Sequence, residues 1–418
     1  MSGTSSLRRA VAAEVSRPLV ASRPNGGRTH RTRRYAGTSM WQIRSATSVA
    51  EAEALRATWQ GMGFTEAKAD MDRFLVAMQE DGVVRPHVLV AERSGEPRAM
   101  LLGRLEHRDV KARFGYATVH RTRLTCLTVL HGGLAGPGRA EAEPRLVAAL
   151  LGALGRKEAD SVLFEYVDVD SALFRHACRM AGHMRRPYSL AIEPHWTCEL
   201  PGSYDEFLAR MPRRKSALRY ARKLERELGD RLEVRRYQSV EHLDRVLEDL
   251  ERVAASSYQR GLGVGFDAAR DRELVRLDME RGWFEAWILY VDSVPRAFEM
   301  GTTYRGTYFL AAKGYDPEWA AQRVGNYVAL RAWRDLCEDS AVRLVDFGYG
   351  DADYKREAAT AHRREADLMI HARSPRGIVT NALHSSVTGA DRLVRRLAGK
   401  DRVARVKRRW RDLRTPGA

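Results

Sequence analysis

Between Tyr308 and Lys355 the chain reads strand, loop, helix, strand, polar turn, and this order limits the fold more than any other stretch. The apolar run Tyr308 to Ala312 ends at Lys313, and Tyr315-Asp316-Pro317 makes a loop. Gln322-Arg323-Val324-Gly325-Asn326 then leads into a helical pattern from Tyr327 to Cys337. A second apolar run, Val342 to Val345, delivers Asp346-Phe347-Gly348-Tyr349-Gly350-Asp351-Ala352-Asp353-Tyr354-Lys355. Two strands joined by such a helix pair in parallel. The helix starts just after an arginine and a glycine, so its free N–H groups and positive dipole end suit a phosphate. The second strand ends in carboxylates, a tyrosine and a lysine, where such sheets place their ligands.

The length, 418 residues, points to two domains, and 44% hydrophobic content is enough for two cores. The net charge of +17 points either to anionic partners or to a solvated basic exterior. Cys126, Cys178, Cys198 and Cys337 have neither metal-site nor disulfide spacing, which reads as a reducing, cytoplasmic setting. The twelve histidines include no metal pair at helical spacing, so no metal is expected. No apolar run is long enough to cross a bilayer. Residues 1–39 are rich in Arg, Ser and Gly and read as a disordered basic leader. Arg8-Arg9 is followed by too charged a segment for a twin-arginine signal, and Met40 is an alternative start.

Ordered patterning begins at Trp41. Ser48-Val49-Ala50-Glu51 is a capping box, and Ser203-Tyr204-Asp205-Glu206 is another. Hairpins are expected around Ser94-Gly95-Glu96-Pro97, Asp292-Ser293-Val294-Pro295 and Arg305-Gly306. Strands are expected at His87 to Ala91, Met100 to Leu102, Leu124 to Leu130 and Ser161 to Val167, and Trp196 to Leu200 closes the half. Pro97-Arg98-Ala99-Met100 aligns with Pro295-Arg296-Ala297-Phe298, and the same order of elements surrounds both, which points to a duplication. The expected units are residues 40–200, residues 201–375 and a basic helical tail, 376–418. The tail includes Lys407-Arg408-Arg409-Trp410-Arg411 and suits solvent or a membrane surface.

The Arg-rich helix after the capped start at Ser203, the Gly325 turn, and Asp346-Phe347-Gly348 followed by Gly350-Asp351 and Tyr354-Lys355 resemble the CelD-type, cellulose-biosynthesis-like acetyltransferases of the GNAT superfamily and the related FemAB-type transferases. The resemblance runs from Trp41 to Ala372. It implies a mixed α/β fold of tandem GNAT-like (acyl-CoA N-acyltransferase) domains, each a mixed sheet flanked by helices. It also implies acetyl-CoA or another acyl-CoA as donor. Gln322, Arg323 and Gly325 match the superfamily's pyrophosphate loop, but Tyr327 stands where a small residue is expected and could obstruct the pyrophosphate.

Direct acyl transfer needs a base, donors for the oxyanion and an acid near the departing thiolate. Glu299 is one base candidate. Alternation puts it on the face of Ala297 and Gly301, whose small side chains leave room for a substrate, although the face could simply be solvated or Glu299 paired with an arginine. Asp346 is the other, with Tyr354 as acid and Lys355 as anion holder; the bland alternative is a structural turn. Asn326 joins Gln322, Arg323 and Gly325 by the donor phosphates. Lys215, Arg219, Arg222 and Arg226 form one stripe of a charged helix and suit phosphates or an RNA backbone, unless Glu225 and Glu227 neutralise them. The loop from Gly132 to Gly138 is the first half's counterpart, but Pro137 removes a donor, and a degenerate, structural half is expected.

Three functions remain open: acyl transfer to an amine or hydroxyl of a sugar, glycan or cell-envelope precursor; a FemAB-like aminoacyl-tRNA-dependent transfer; and a non-catalytic polyanion-binding accessory role. The expected location is cytoplasmic, with a peripheral hold on the inner membrane face through the tail.

Overall fold

The computed structural model describes residues 41–115, 117–256 and 265–412. The expected leader and the alternative start at Met40 lie outside them. The first half runs β1 (Trp41–Ala46), α1 (Val49–Glu53), α2 (Arg56–Gly61), α3 (Met71–Ala77), β2 (Val83–Pro86), β3 (Val88–Arg93), β4 (Glu96–Phe114), β5 (Ala117–Ala135), α4 (Arg139–Gly155), β6 (Ser161–Asp168), α5 (Ala172–Ala181) and β7 (Glu193–Glu199). The second runs α6 (Tyr204–Arg210), α7 (Arg214–Leu228), β8 (Leu232–Tyr237), α8 (Leu243–Ser256), α9 (Ala268–Glu280), β9 (Phe284–Val291), β10 (Val294–Tyr304), β11 (Thr307–Tyr315), α10 (Val324–Glu338), β12 (Leu344–Tyr349), α11 (Asp353–Ala358), β13 (Ala361–His371) and α12 (Pro375–Asp412).

The duplication is visible in the backbone. The capping box at Ser48 forms as written, with both reciprocal hydrogen bonds. The two corresponding hairpins turn on two residues of positive φ, Ser94-Gly95 and Asp292-Ser293, as the right-handed twist of paired strands requires. In each half a helix crosses between parallel strands, and the pairing is short. Cys126–Val129 pair with Ser161–Phe164, and Thr307–Phe309 pair with Leu344–Asp346. Past those points each pair of strands parts and leaves an opening in the sheet. Among the described residues four apolar clusters, two per half, cover the sheet faces; α4 packs into one and α10 into its counterpart.

The halves are nevertheless not separate sheets. The strand order is β1-β3-β4-β5-β6-β13-β7-β12-β11-β10-β9-β8, with β2 paired to β4. Strand β7 leaves the first half to pair with β12, and β13 comes back from the second to pair with β6. The expected boundary near residue 200 therefore divides the sequence and not the sheet. The hairpin of β4 and β5 also departs from expectation. Strands β4 and β5 run on as a long charged ribbon past Gly103 and before Leu124, paired as far as Phe114 with Ala117. The tail, expected to be helical from residue 376, is a helix from Pro375 to Asp412. It docks through polar contacts that leave no apolar periodicity: Asn381 Nδ2 donates to the carbonyls of Met184 and Arg186. Among the described residues no helix is long and apolar enough to cross a membrane.

Candidate active site

The opening between β11 and β12 gathers the four residues assigned to chemistry. Glu299 lies opposite Lys313 in the β10–β11 register, on the face covered by α10. It is buried, and burial raises its carboxyl, with the Lys313 ammonium opposing the rise. Burial in turn lowers Lys313, and Glu299 opposes that. The Lys313 ammonium stands 3.2 Å from the centroid of the Tyr354 ring. Lys355, the next residue on α11, is buried and donates to the carbonyls of Gly348 and Tyr349 at 3.1 and 2.9 Å. Burial brings it down to about 8, against the pull of Asp346. Two amines and two carboxylates thus share one partly desolvated region, where such groups move toward the working range of acid–base chemistry.

One expectation about this face is corrected. Gly301 does not leave space for a substrate. The Tyr308 ring fills it, and a Cβ on Gly301 would lie 2.6 Å from Tyr308 Cζ. The Tyr308 hydroxyl is fully buried and meets no hydrogen-bond partner among the described residues. Ala297 is packed in the same apolar cluster.

Asp346 lies inside β12, as the last of its residues paired with β11, and belongs to a second group of charges at the seam of the two halves. Its Oδ1 accepts from the Gly348 amide at 2.7 Å. Its carboxylate oxygens lie 2.7 and 2.8 Å from His195 Nε2, on β7. The other ring nitrogen, Nδ1, is 2.8 Å from Glu365 Oε2, on β13. Glu365 Oε1 takes Arg363 Nε at 2.5 Å and lies 3.1 Å from His131 Nε2, on β5. The His131 and His195 rings stack 5.2 Å apart. His131, His195 and Glu365 are close enough to hold a metal ion. Arg363 Nη2 sits 3.1 Å from His131 Nε2, so a guanidinium already occupies the position that a dication would need. The donor set fits an ion-pair cluster better than a metal site.

The turn expected to hold the donor phosphates is covered. Arg323 caps α10 in the left-handed conformation and its guanidinium stacks 3.7 Å from the centroid of the Tyr220 ring, on α7. Gln322, Arg323 and Asn326 line a residual space of only 10 Å³ under α7. Gly325 faces the Tyr315 ring. Tyr327 turns into the core, and its hydroxyl donates to Glu225 on α7. The cover is therefore α7 itself, with Tyr327 as one of its anchors.

Lys215, Arg219, Arg222 and Arg226 are exposed on the other side of α7, with Asp205 and Leu208 along an open groove of 1040 Å³. Glu225 lines the same groove but is held by Tyr327 and Arg331, and Glu227 is held by Lys223. Among the described residues none of these four cations has an ion-pair partner. The stripe faces this groove; the Glu299–Asp346 region is not among its lining residues.

The first half, read as structural, holds a cleft of 560 Å³ at its own strand opening, lined by the loop Gly132 to Gly136 and by Glu66, His131, Tyr166, Arg363 and Glu365. Gly132 has φ +67, and a Cβ there would collide with the Glu66 side chain, so the glycine lets that carboxylate lie across the loop. Sequence reading missed Lys313, His195, Arg363 and Glu365. The alternation Ala366, Leu368, Ile370 was the available signal for β13, and hence for its inward-facing neighbours.

Residues 212–356 match the family model described as an acetyltransferase (GNAT) domain, a span that contains Glu299, Lys313, Asp346, Tyr354 and Lys355. No curated protein sequence matches the chain. Among solved structures the chain is similar to FemX, at 12% identity and TM-score 0.52, over 79% of this chain and 98% of that one. It is also similar to a tandem GNAT protein from the clavulanic acid pathway (13% identity, 80% and 99% covered, TM-score 0.49). The C-terminal domain of a putative lysylphosphatidylglycerol synthetase from Agrobacterium fabrum is a third (12%, 81% and 96%, 0.49). The fold is mixed α/β and tandem GNAT-like.

Proposed function

We propose that the protein is an acyltransferase that moves an acyl group from acyl-CoA to an amine or hydroxyl of a sugar or cell-envelope precursor, as in the CelD-type enzymes it resembles. The observation that carries this reading is the convergence of Glu299, Lys313, Asp346, Tyr354 and Lys355 at the β11–β12 opening, inside the span that matches an acetyltransferase domain. Glu299, raised by burial, is suited to take the proton from the acceptor as its nitrogen or oxygen bonds to the acyl carbon. The carbon–sulfur bond then breaks, and Tyr354 or Lys355 returns a proton to the thiolate. Asp346 stays ionised and holds the field around Lys355. Calorimetric titration of the full chain with acetyl-CoA and with free coenzyme A tests the donor. The expected result is saturable micromolar binding that Gly325→Trp abolishes; heat indistinguishable from dilution overturns the acetyl-CoA reading.

One observation favours a second reading, a transfer that uses aminoacyl-tRNA. Among the described residues the stripe cations of α7 have no ion-pair partner along an open groove, while the phosphate turn of α10 is covered. Binding to tRNA would then weaken with log[salt] at a slope of about −0.7 to −0.9 per phosphate contacted. In either reading the protein works in the cytoplasm, with its basic tail available to the inner membrane face.

A further inference from the structure

The seam cluster contains a histidine whose surroundings define its charge. His195 is 4% exposed, with a carboxylate oxygen within 2.8 Å of each ring nitrogen: Asp346 on Nε2, Glu365 on Nδ1. A neutral imidazole carries a proton on one nitrogen only and would point the other's lone pair at a carboxylate. Both contacts are favourable only when both nitrogens donate. Glu365 also takes the guanidinium of Arg363, and Asp346 supports the charge of Lys355, so it is the paired ring contacts that define the imidazolium. Burial opposes charge on His195, and the hydrogen bonds to Asp346 and Glu365 overcome it and raise the ring. Against the same burial, His195 and the Gly348 amide hold Asp346 below its ordinary value.

We propose that His195 is a positioning residue for the second-half site: a buried imidazolium, locked by Glu365, that keeps Asp346 ionised and fixes its orientation toward α11. The charged and titratable groups around this pair come from every neighbouring strand. They are Asp346 from β12, Glu365 and Arg363 from β13, His131 from β5, stacked on the His195 ring, and Lys355 from α11, whose charge Asp346 supports. The assignment gives the strand exchange a chemical role. Strand β7 leaves the first half to bring His195 to Asp346, and β13 crosses back to put Glu365 behind it. The carboxylate of the second half is thus held by a histidine from the first, and that histidine is locked in turn by Glu365 of the second.

The part of this inference that concerns catalysis rests on the reading that Asp346 must be ionised for acyl transfer. The test has two arms. In the full chain labelled with ¹⁵N-histidine, the ring signals that vanish in His195→Gln belong to His195. At pH 7.5 both nitrogens are expected to show imidazolium shifts, and in Asp346→Asn the ring is expected to lose its proton at lower pH than in the parent. A neutral tautomer at pH 7.5 in the parent overturns the proposal, whatever the activity. In the second arm, kcat/KM is followed against pH. His195→Gln removes the charge that holds Asp346 down, and the buried carboxyl is expected to rise past Glu299 and carry the acid limb up by at least about one pH unit, a tenfold change in proton affinity, with KM little changed. A purely structural role would lower kcat/KM at every pH without moving the limb, and that result also overturns the proposal. If Asp346→Asn keeps full activity, the role given to Asp346 in acyl transfer fails while the ring-protonation result stands on its own.

Discussion

The Lys313 ammonium lies 3.2 Å from the centroid of the Tyr354 ring and directly across the strand pair from Glu299. A cation over an aromatic face is attracted by the ring quadrupole, and more strongly when desolvated. Lys313 therefore links the two residues that sequence reading assigned as base and acid. It also opposes the rise that burial imposes on Glu299. Lys313→Gln removes that opposition, so the Glu299 carboxyl climbs further, and a base that must be ionised is protonated over a wider range. The acid limb of kcat/KM is expected to shift to higher pH, with the largest loss below neutrality. Lys313→Arg keeps the charge and is expected to restore most of the limb. Glu299→Gln is expected to cost about 10²–10⁴ in kcat, the usual worth of a general base. A Lys313→Gln profile parallel to the parent would remove Lys313 from the site.

The contact of Arg323 with Tyr220 is the most direct expression of the cover over the α10 turn. Tyr220→Ala removes the stacked ring and opens the residual 10 Å³ space toward the helix N-terminus. Coenzyme A affinity is expected to rise about tenfold, the equivalent of ~1.4 kcal/mol. Calorimetry on the two proteins reads this directly. Unchanged affinity would place the donor phosphates elsewhere.

The α7 stripe separates the two readings of the donor. Lys215, Arg219 and Arg222 are exposed and lack ion-pair partners among the described residues, so their replacement by alanine leaves no buried charge behind. If the groove tracks a nucleic-acid backbone, the triple variant is expected to lower the log K against log[salt] slope for tRNA by about 3 × 0.7–0.9, one term per lost phosphate contact. Fluorescence anisotropy over a salt series measures it. If the groove has no such partner, parent and variant bind tRNA equally weakly, with the same slope.

How far the site was legible follows from the range of each interaction. Glu299 was singled out by alternation along its strand, and Asp346, Tyr354 and Lys355 by a strand–helix–strand crossover that fixes which strand ends meet; those rules act over a few tens of residues. Lys313 was passed over because a lysine after an apolar run reads as the end of a strand. In the structure β11 continues through it to Tyr315, and the neighbour that gives it meaning is Tyr354. His195 was one of twelve scattered histidines. Its partners are 151 and 170 residues away and depend on a strand exchange that no local pattern encodes. The cover over the α10 turn was invisible for the same reason: Tyr327 was read as an obstacle in its own loop, whereas it anchors a helix from a hundred residues earlier.

The seam cluster also makes an acid-stability prediction whose sign can be worked out. Burial pushes Glu365 up, but hydrogen bonds from His131 and His195 outweigh it and hold the carboxyl far below its ordinary value. A depressed carboxyl stabilises the fold above its unfolded value, about 4.3, and loses that contribution as pH falls toward the folded value. His195 is raised, so its contribution is complete below its unfolded value, about 6.5, and is lost as pH rises through the folded one. The cluster therefore stabilises most between roughly pH 4.5 and 6.5. Glu365→Gln leaves the Arg363 and His195 charges facing one carboxylate instead of two. Breaking a buried pair in this way costs about 3–5 kcal/mol. Urea unfolding at pH 6 is expected to show that loss. The gap to the parent is expected to narrow below pH 4, where the unfolded parent takes up a proton on Glu365, and above the pH at which His195 discharges. A gap that stays constant from pH 3 to pH 9 would mean that Glu365 acts through packing alone.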